Sequence, residues 1–478
     1  MIQQKQYRIR KVEFLIYRRR WLFALALLVV AVIALAFGYY VKEGSKPAPR
    51  VNVKPAAWGM PTPLPDHVVL TVTNDPATSQ SVTWRTDTSV KKAVAQIALA
   101  DAAPRFWKNA TEYGAQTTVL DAATIEGAGT HAHYHAVTFT NLQPDTTYAY
   151  RVGDGSHWSE WFHFRTASKQ ARPFRFIFMG DVQNDILENY SRIAREAYKK
   201  APDARLMLYA GDIVNFAHSE GQWHEWFTAG GWLRGSLAHM PVVGNHEYGG
   251  YTKQEHQSKN RKLAVQWQPQ FTLPQNGPDG LQETTYYFDY QGVRFIALNS
   301  NEKLQQQAVW LEAVLKNNPQ QWTVVTFHHP VYSGAHHADN KELRTLWQPL
   351  FDKYGVDLVL TGHEHTYTRG QATTGGKAAG PVYIVSVSGG KMYGFEEATW
   401  KDYAAQLQRK GENTQLFQVI TVDGNRLQYQ SYTATGALYD AFNLVKAQGT
   451  KTAVLQNVTS ELVAERNHGN TIAYKIKK

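Results

Sequence analysis

The sequence predicts an N-terminal transmembrane helix, then an all-β sandwich, then an α/β core, and three observations predict it. Trp21 to Val41 is an apolar run without a charged side chain, long enough at about 1.5 Å per residue to span a bilayer. From Asp66 to about Ser168 short alternating strands are separated by turn residues, the pattern of a sandwich. From Arg172 on, short apolar runs alternate with helical stretches, which makes an α/β core.

At 478 residues the chain exceeds one core, so several domains are expected. Cysteine is absent. Disulfides and thiolate ligands are therefore excluded, and any metal must be held by oxygen and imidazole nitrogen. The net charge of +10 is concentrated at the start of the chain: Lys5, Arg8, Arg10, Lys11, Arg18, Arg19 and Arg20 stand against Glu13 alone. That placement argues against nucleic acid as a partner and for a cytoplasmic flank, residues 1–20, ahead of a signal-anchor, residues 21–41. The alternative, a cleaved signal peptide with Ala34-Leu35-Ala36 at its cleavage site, fits less well because Phe37 to Val41 continues the apolar run. On this reading everything after Val41 is exported, to a periplasmic or extracellular location. Residues 42–65, with six prolines, read as a semi-extended linker.

In the sandwich, residues 66–168, strands are expected at His67–Thr73, Ser81–Thr86, Ala93–Leu99, His135–Thr140, Thr147–Val152 and Trp161–Arg165. Trp84 stands where a core tryptophan would, and Tyr148 where a tyrosine corner would; the combination resembles a fibronectin type III module. His131, His133 and His135 share one strand face by their period of two. No carboxylate accompanies them, so they are read as the strand's solvent face rather than a metal site.

In the core, residues 172–440, helices are expected at Ile186–Lys200, Leu304–Lys316 and Asn340–Tyr354, a hairpin at Tyr286–Asn299, and strands at Pro381–Ser388 and Leu416–Tyr432. The glycine-rich stretches 375–380 and 389–394 read as loops. Residues 441–478 form a tail with no clear period. Five apolar runs end in metal-ligand side chains: at Asp181, at Gly211-Asp212, at Asn245-His246-Glu247, at His328-His329 and at His363-Glu364-His365. Buried strands of an open α/β sheet present their carboxyl ends to the site. One rim would then gather Asp181, Asp212, Asn245, His328, His363 and His365, with Asp212 central and able to share its oxygens between two ions about 3.5–4 Å apart, an arrangement that clamps both oxygens of a displacement at phosphorus.

The series Gly-Asp, Gly-Asp, Gly-Asn-His-Glu, His-x-Pro and Gly-His-x-His is similar to that of the calcineurin-like metallophosphoesterase superfamily. The preceding sandwich, the insert Phe271–Pro278, the strand beginning Tyr286-Tyr287-Phe288 and the stretch Tyr439–Phe442 narrow the resemblance to the purple acid phosphatases. It implies a two-sheet metallophosphoesterase core flanked by helices, and two divalent or trivalent ions, Fe, Zn or Mn. It assigns the first ion to Asp181, Asp212 and His365, and the second to Asp212, Asn245, His328 and His363. It implies hydrolysis of a small phosphate ester, foremost a monoester, by metal-bound hydroxide, with His246, His336 and His337 as catalytic residues that face phosphate or protonate the leaving group. A phosphodiesterase or nucleotide phosphatase is the near alternative, and a non-catalytic surface or adhesion protein on the same scaffold the distant one. Two positions depart from the family pattern. Asn215 stands where the iron-binding tyrosine would be, and Gln183 where the family has glycine; the amide oxygen of either is a candidate further ligand.

Overall fold

The computed structural model describes Trp21 and residues 58–120, 131–249, 261–335, 339–396 and 398–467. The expected anchor, apart from Trp21, lies outside the described residues, as do His336 and His337. Among the described residues no helix is long and apolar enough to cross a membrane.

Two large sheets form the α/β part. The first carries Phe174–Met179, Leu206–Tyr209 and Ala238–Pro241 side by side and parallel. The second carries Val293–Ala297, Trp322–Thr326, Leu358–Thr361 and Lys377–Val385, also parallel, with Tyr286–Tyr290 paired antiparallel at its edge. Side chains alternate across each strand. Thus Val324 faces the core between the sheets with Phe176, Leu208, Phe295 and Leu360, while Val325 turns outward against Leu311, Trp347 and Phe351 of the covering helices. Both faces of these strands are buried, which explains their continuous apolar runs. The helix Leu304–Lys316 has the expected bounds. The expected helix Asn340–Tyr354 is instead two, Lys341–Leu346 and Gln348–Tyr354, with a proline in the first turn of the second, where proline is tolerated. The stretch expected as Ile186–Lys200 begins as a π-turn, Ile186–Tyr190, before the helix Ser191–Lys200.

The sandwich is not a detached module. Its first layer, Asp66–Thr71, Gln80–Thr86, Ala132–Phe139 and Gln116–Leu120, continues the first of these two sheets, because Leu70 and Thr71 pair in parallel with Ala238 and His239. Its second layer is the sheet Thr111–Gly114, Val94–Leu99, Thr147–Gly153 and Phe162–Arg165. Trp84, Phe139, Tyr150 and Phe164 fill the space between the layers. The Tyr148 hydroxyl accepts the N–H of Gln143 at 2.8 Å, closing the expected corner.

Two expectations need correction here. His133 and His135 are buried, not on a solvent face: His133 Nδ1 donates to the Val90 carbonyl, and the His135 ring bonds the hydroxyls of Thr86 and Thr117. The boundary expected at 441 falls inside a strand, because Leu438–Lys446 runs through it and Ala453–Asn457 pairs with that strand. Buried ion pairs tie this strand to the second sheet: Asp440 accepts from Arg369 and from the Tyr367 hydroxyl, and Lys446 reaches Asp357 at 2.7 Å.

Candidate metal centre

The parallel strands stop where glycine allows the chain to turn tightly beneath a ligand. A Cβ at Gly211 (φ +86) would fall 2.5 Å from the Gly244 nitrogen and 2.9 Å from the His328 ring, and one at Gly244 would fall 2.2 Å from Asp212 Oδ1. A Cβ at Gly362 would fall 2.7 Å from Asp181 Oδ2. These three glycines are therefore required by close approach of the rim segments to one another. Asp212, His363 and His365 have φ of 48°, 73° and 47°. Non-glycine residues in this region store strain, and such strain gathers at functional sites.

The side chains then converge. Asn245 Oδ1 lies 2.9 Å from both His328 Nε2 and His363 Nδ1, which are 3.2 Å apart, and His328 Nε2 is 3.2 Å from Asp212 Oδ2. Donor atoms bound to one ion at about 2.0–2.2 Å stand about this far apart. Hydrogen bonds fix which imidazole atom is presented. His328 Nδ1 donates to the Ala210 carbonyl and His365 Nδ1 to the Lys391 carbonyl, so each offers Nε2 to the site; such outer bonds set tautomer and ring orientation. Toward the other side, Gln183 places its amide 2.9 Å from Asp212 Oδ2 and 3.1 Å from His365 Nε2.

Asp181 provides the test of whether metal ions fit. Both its carboxylate oxygens are buried without a hydrogen-bond partner, and so is Oε1 of Gln183. A carboxylate is not buried bare, since desolvation costs far more than the fold can spare; a cation satisfies it. Burial pushes the Asp181 carboxyl up to about 8, His328 working against this and Asp212 adding to it. Asp212 is also buried, but His328 and His246 beside it hold it well below the usual carboxylate range. The donor set is hard oxygen plus imidazole, suited to Zn, Mn or Fe ions. Asp181, Asp212 and His365 would hold one ion, and Asp212, Asn245, His328 and His363 the other; Gln183, expected as a further ligand through its oxygen, instead turns its amide nitrogen toward Asp212 and His365.

Asn215 is placed differently. Its backbone is used, the N–H donating to Gln222 and the carbonyl accepting from His246 Nδ1 at 2.7 Å. His246 thereby turns Nε2 toward Asp212 Oδ2, 3.8 Å away. Burial, countered in part by Asp212, leaves its pKa lowered.

Three contributors escaped the sequence reading as site residues. Glu247 is fully buried, and its carboxylate accepts the backbone N–H groups of Asp212, Ile213, Val214 and Gly244. It stitches the Asp212 turn to the Asn245 turn. Burial and the Asp212 charge push it up to about 7, and the N–H donors pull the other way. His329 packs its ring, tilted by 52°, 4.4 Å from that of His363 and bonds Ser300 through Nδ1. Lys391 lies in a stretch read only as a loop. Glu247 and His329 were visible as motif neighbours, whereas nothing local marked Lys391. A further group, Asp66, His67 and His224, also lies close together, but both Asp66 oxygens are taken by Arg85.

Parallel strands delivering carboxylates, an asparagine and imidazoles to one rim define a two-metal phosphoesterase scaffold. Residues 65–166 match the purple acid phosphatase N-terminal domain, and residues 174–367 match the calcineurin-like phosphoesterase family. The chain thus carries a purple acid phosphatase N-terminal domain followed by a calcineurin-like phosphoesterase domain. It is 29% identical over 293 residues to purple acid phosphatase 15 of Arabidopsis thaliana, covering 54% of this chain and 53% of that protein. It is 28% identical over 302 residues to purple acid phosphatase 21 of the same plant, covering 59% and 66%. The chain thus spans about half the length of the first of these relatives and two thirds of the second. A purple acid phosphatase from yellow lupin (Lupinus luteus) seeds shares the fold, with TM-score 0.67 at 18% identity over 83% of this chain and 78% of that one.

Proposed function

We propose that the chain is a phosphoesterase, foremost a phosphomonoesterase, working outside the cytoplasm. The observation that carries this reading is the gathering of the expected ligands at one rim, among them a buried Asp181 whose oxygens lack hydrogen-bond partners. A scaffold that had lost catalysis would be expected to have lost ligands too, which weighs against the surface-protein alternative. The ions, when bound, supply Lewis acidity and an activated water. The protein's own groups orient and enclose. Asp212 is held in place by the His246 N–H on Oδ1 and by Gln183 on Oδ2, and Glu247 fixes the two turns beneath. Beside Asn245 a cavity of about 650 Å³, lined among others by Tyr248, Arg261, Ser300 and His329, gives room for a leaving group. His246, whose Nε2 is turned toward Asp212, is the proposed phosphate contact. The pair His336-His337 follows His328 closely in sequence and is the proposed proton donor to the leaving oxygen. The basic flank and the run Trp21–Val41 support an anchored, exported enzyme.

The test is turnover by the full chain on p-nitrophenyl phosphate and bis(p-nitrophenyl) phosphate, before and after chelation. Monoester hydrolysis abolished by chelator and restored by metal is expected. Diester hydrolysis that exceeds monoester hydrolysis would move the reading to a phosphodiesterase, and no hydrolysis of either would overturn it.

A further inference from the structure

The loop after strand Lys377–Val385 is bound to the ligands of the first ion site. The N–H groups of Ser388 and Gly389 both donate to the Asp181 carbonyl, at 3.1 and 2.6 Å. The Lys391 carbonyl accepts from His365 Nδ1 at 3.0 Å, and the Tyr393 N–H donates to the His365 carbonyl at 3.2 Å. Gly389 permits this seat, since a Cβ there would fall 2.5 Å from the Gln183 carbonyl oxygen. The loop is therefore as fixed as the ligands it touches.

It carries a cation to the rim. The Lys391 ammonium lies 5.2 Å from the centroid of the Tyr393 ring and hydrogen-bonds that side chain, and Tyr393 in turn packs edge-on against the His365 ring at 4.7 Å. Its charge is felt at Asp181, His246 and His365, three residues from three different strand ends. Among the described residues no carboxylate forms an ion pair with it. A half-buried ammonium beside the ligand residues, with no ion-paired carboxylate among the described residues, is placed for an anionic ligand.

We propose that Lys391 is a specificity-determining residue that takes the extra charged oxygen of a phosphomonoester dianion. The inference rests on the phosphoesterase reading above. A monoester near neutral pH carries about −1.5 to −2, because its second pKa is about 6, whereas a diester carries one charge. The oxygen that a diester esterifies is the one an ammonium would hold in a monoester. A charge-assisted contact of this kind contributes enough to change relative kcat/KM by about 10- to 100-fold.

The experiment uses full-length, metal-loaded wild type, Lys391→Met and Lys391→Arg. Three quantities are read: metal content, calorimetric affinity for inorganic phosphate, and kcat/KM on p-nitrophenyl phosphate and bis(p-nitrophenyl) phosphate. Lys391→Met is expected to keep its metals, to weaken phosphate binding about 10-fold or more, and to lose 10- to 100-fold on the monoester but less than about 3-fold on the diester. Lys391→Arg should recover part of the monoester rate. Equal losses on both esters, loss of metal in step with activity, or phosphate affinity indifferent to the substitution would each overturn the assignment. If wild type turns over neither ester yet binds phosphate in a Lys391-dependent way, the phosphatase reading falls and the anion site stands.

Discussion

Replacing Glu247 by glutamine tests how far the site depends on a residue that touches no ion. The substitution keeps size and shape but turns one oxygen into an N–H donor. Oε2 accepts from Asp212 at 2.9 Å and Gly244 at 2.7 Å, and Oε1 from Ile213 at 2.9 Å and Val214 at 3.5 Å. Either orientation of the amide points a donor at donors. The less damaging one sacrifices the bonds to Ile213 and Val214, and keeps those to Asp212 and Gly244. One good charge-assisted bond lost is about 1.5–3 kcal/mol, and a buried N–H left unmatched costs about 1–3 kcal/mol. Part of this is returned because a buried carboxylate no longer has to be desolvated. Glu247→Gln should therefore cost about 2–4 kcal/mol in urea unfolding of metal-free protein, and metal-loaded protein should bind its ions more weakly because the Asp212 and Asn245 turns are no longer locked together. A variant within 0.5 kcal/mol of wild type that retains full metal would refute the role given to Glu247.

Three other outcomes are expected. Asp440→Asn leaves Arg369 buried without its carboxylate and should destabilise by about 3–5 kcal/mol, measured by urea denaturation; a loss under 1 kcal/mol would mean this pair does not join the sheets. Iron-loaded protein should lack an intense visible tyrosinate band, since Asn215 has no phenolate and Tyr209 has its hydroxyl engaged by Arg234 and Tyr190; such a band in the wild type, read by absorption spectroscopy, would instead implicate Tyr393, whose ring packs on His365. The double variant His336→Ala with His337→Ala should keep its metals and lose about 10²–10⁴ in rate, more on an alkyl phosphate than on p-nitrophenyl phosphate; equal losses would make the pair phosphate-positioning, with His246 the proton donor.

The ligands were legible because each closes an apolar run, all but His328 through a glycine, and the burial of those runs on both faces is a local pattern. The sandwich core around Trp84 and the Tyr148 corner were legible for the same reason. What could not be read depends on approach from afar. The pairing of Leu70 with Ala238 joins sandwich and catalytic sheet across more than one hundred and sixty residues, and no local period announces it. Gln116–Leu120 is largely exposed and lacks the apolar alternation that marks a strand. The strand Leu438–Lys446 is buried by pairing and by Arg369 and Asp357, partners remote in sequence. His135 looked like surface because the hydroxyls that satisfy it lie on neighbouring strands. Glu247 and Lys391 act through backbone carried by other segments, so their roles appear only when the rim is assembled.

The central claim is that Asp212 serves two ions at once, and metal analysis of purified full-length wild type and Asp212→Asn tests it most directly. Wild type is expected to hold two ions per chain. The variant should hold fewer than one, with monoester turnover falling in step, because a neutral amide is a poor substitute for a carboxylate shared between cations. Two tightly held ions in Asp212→Asn, or wild-type turnover that survives complete removal of metal, would contradict the account.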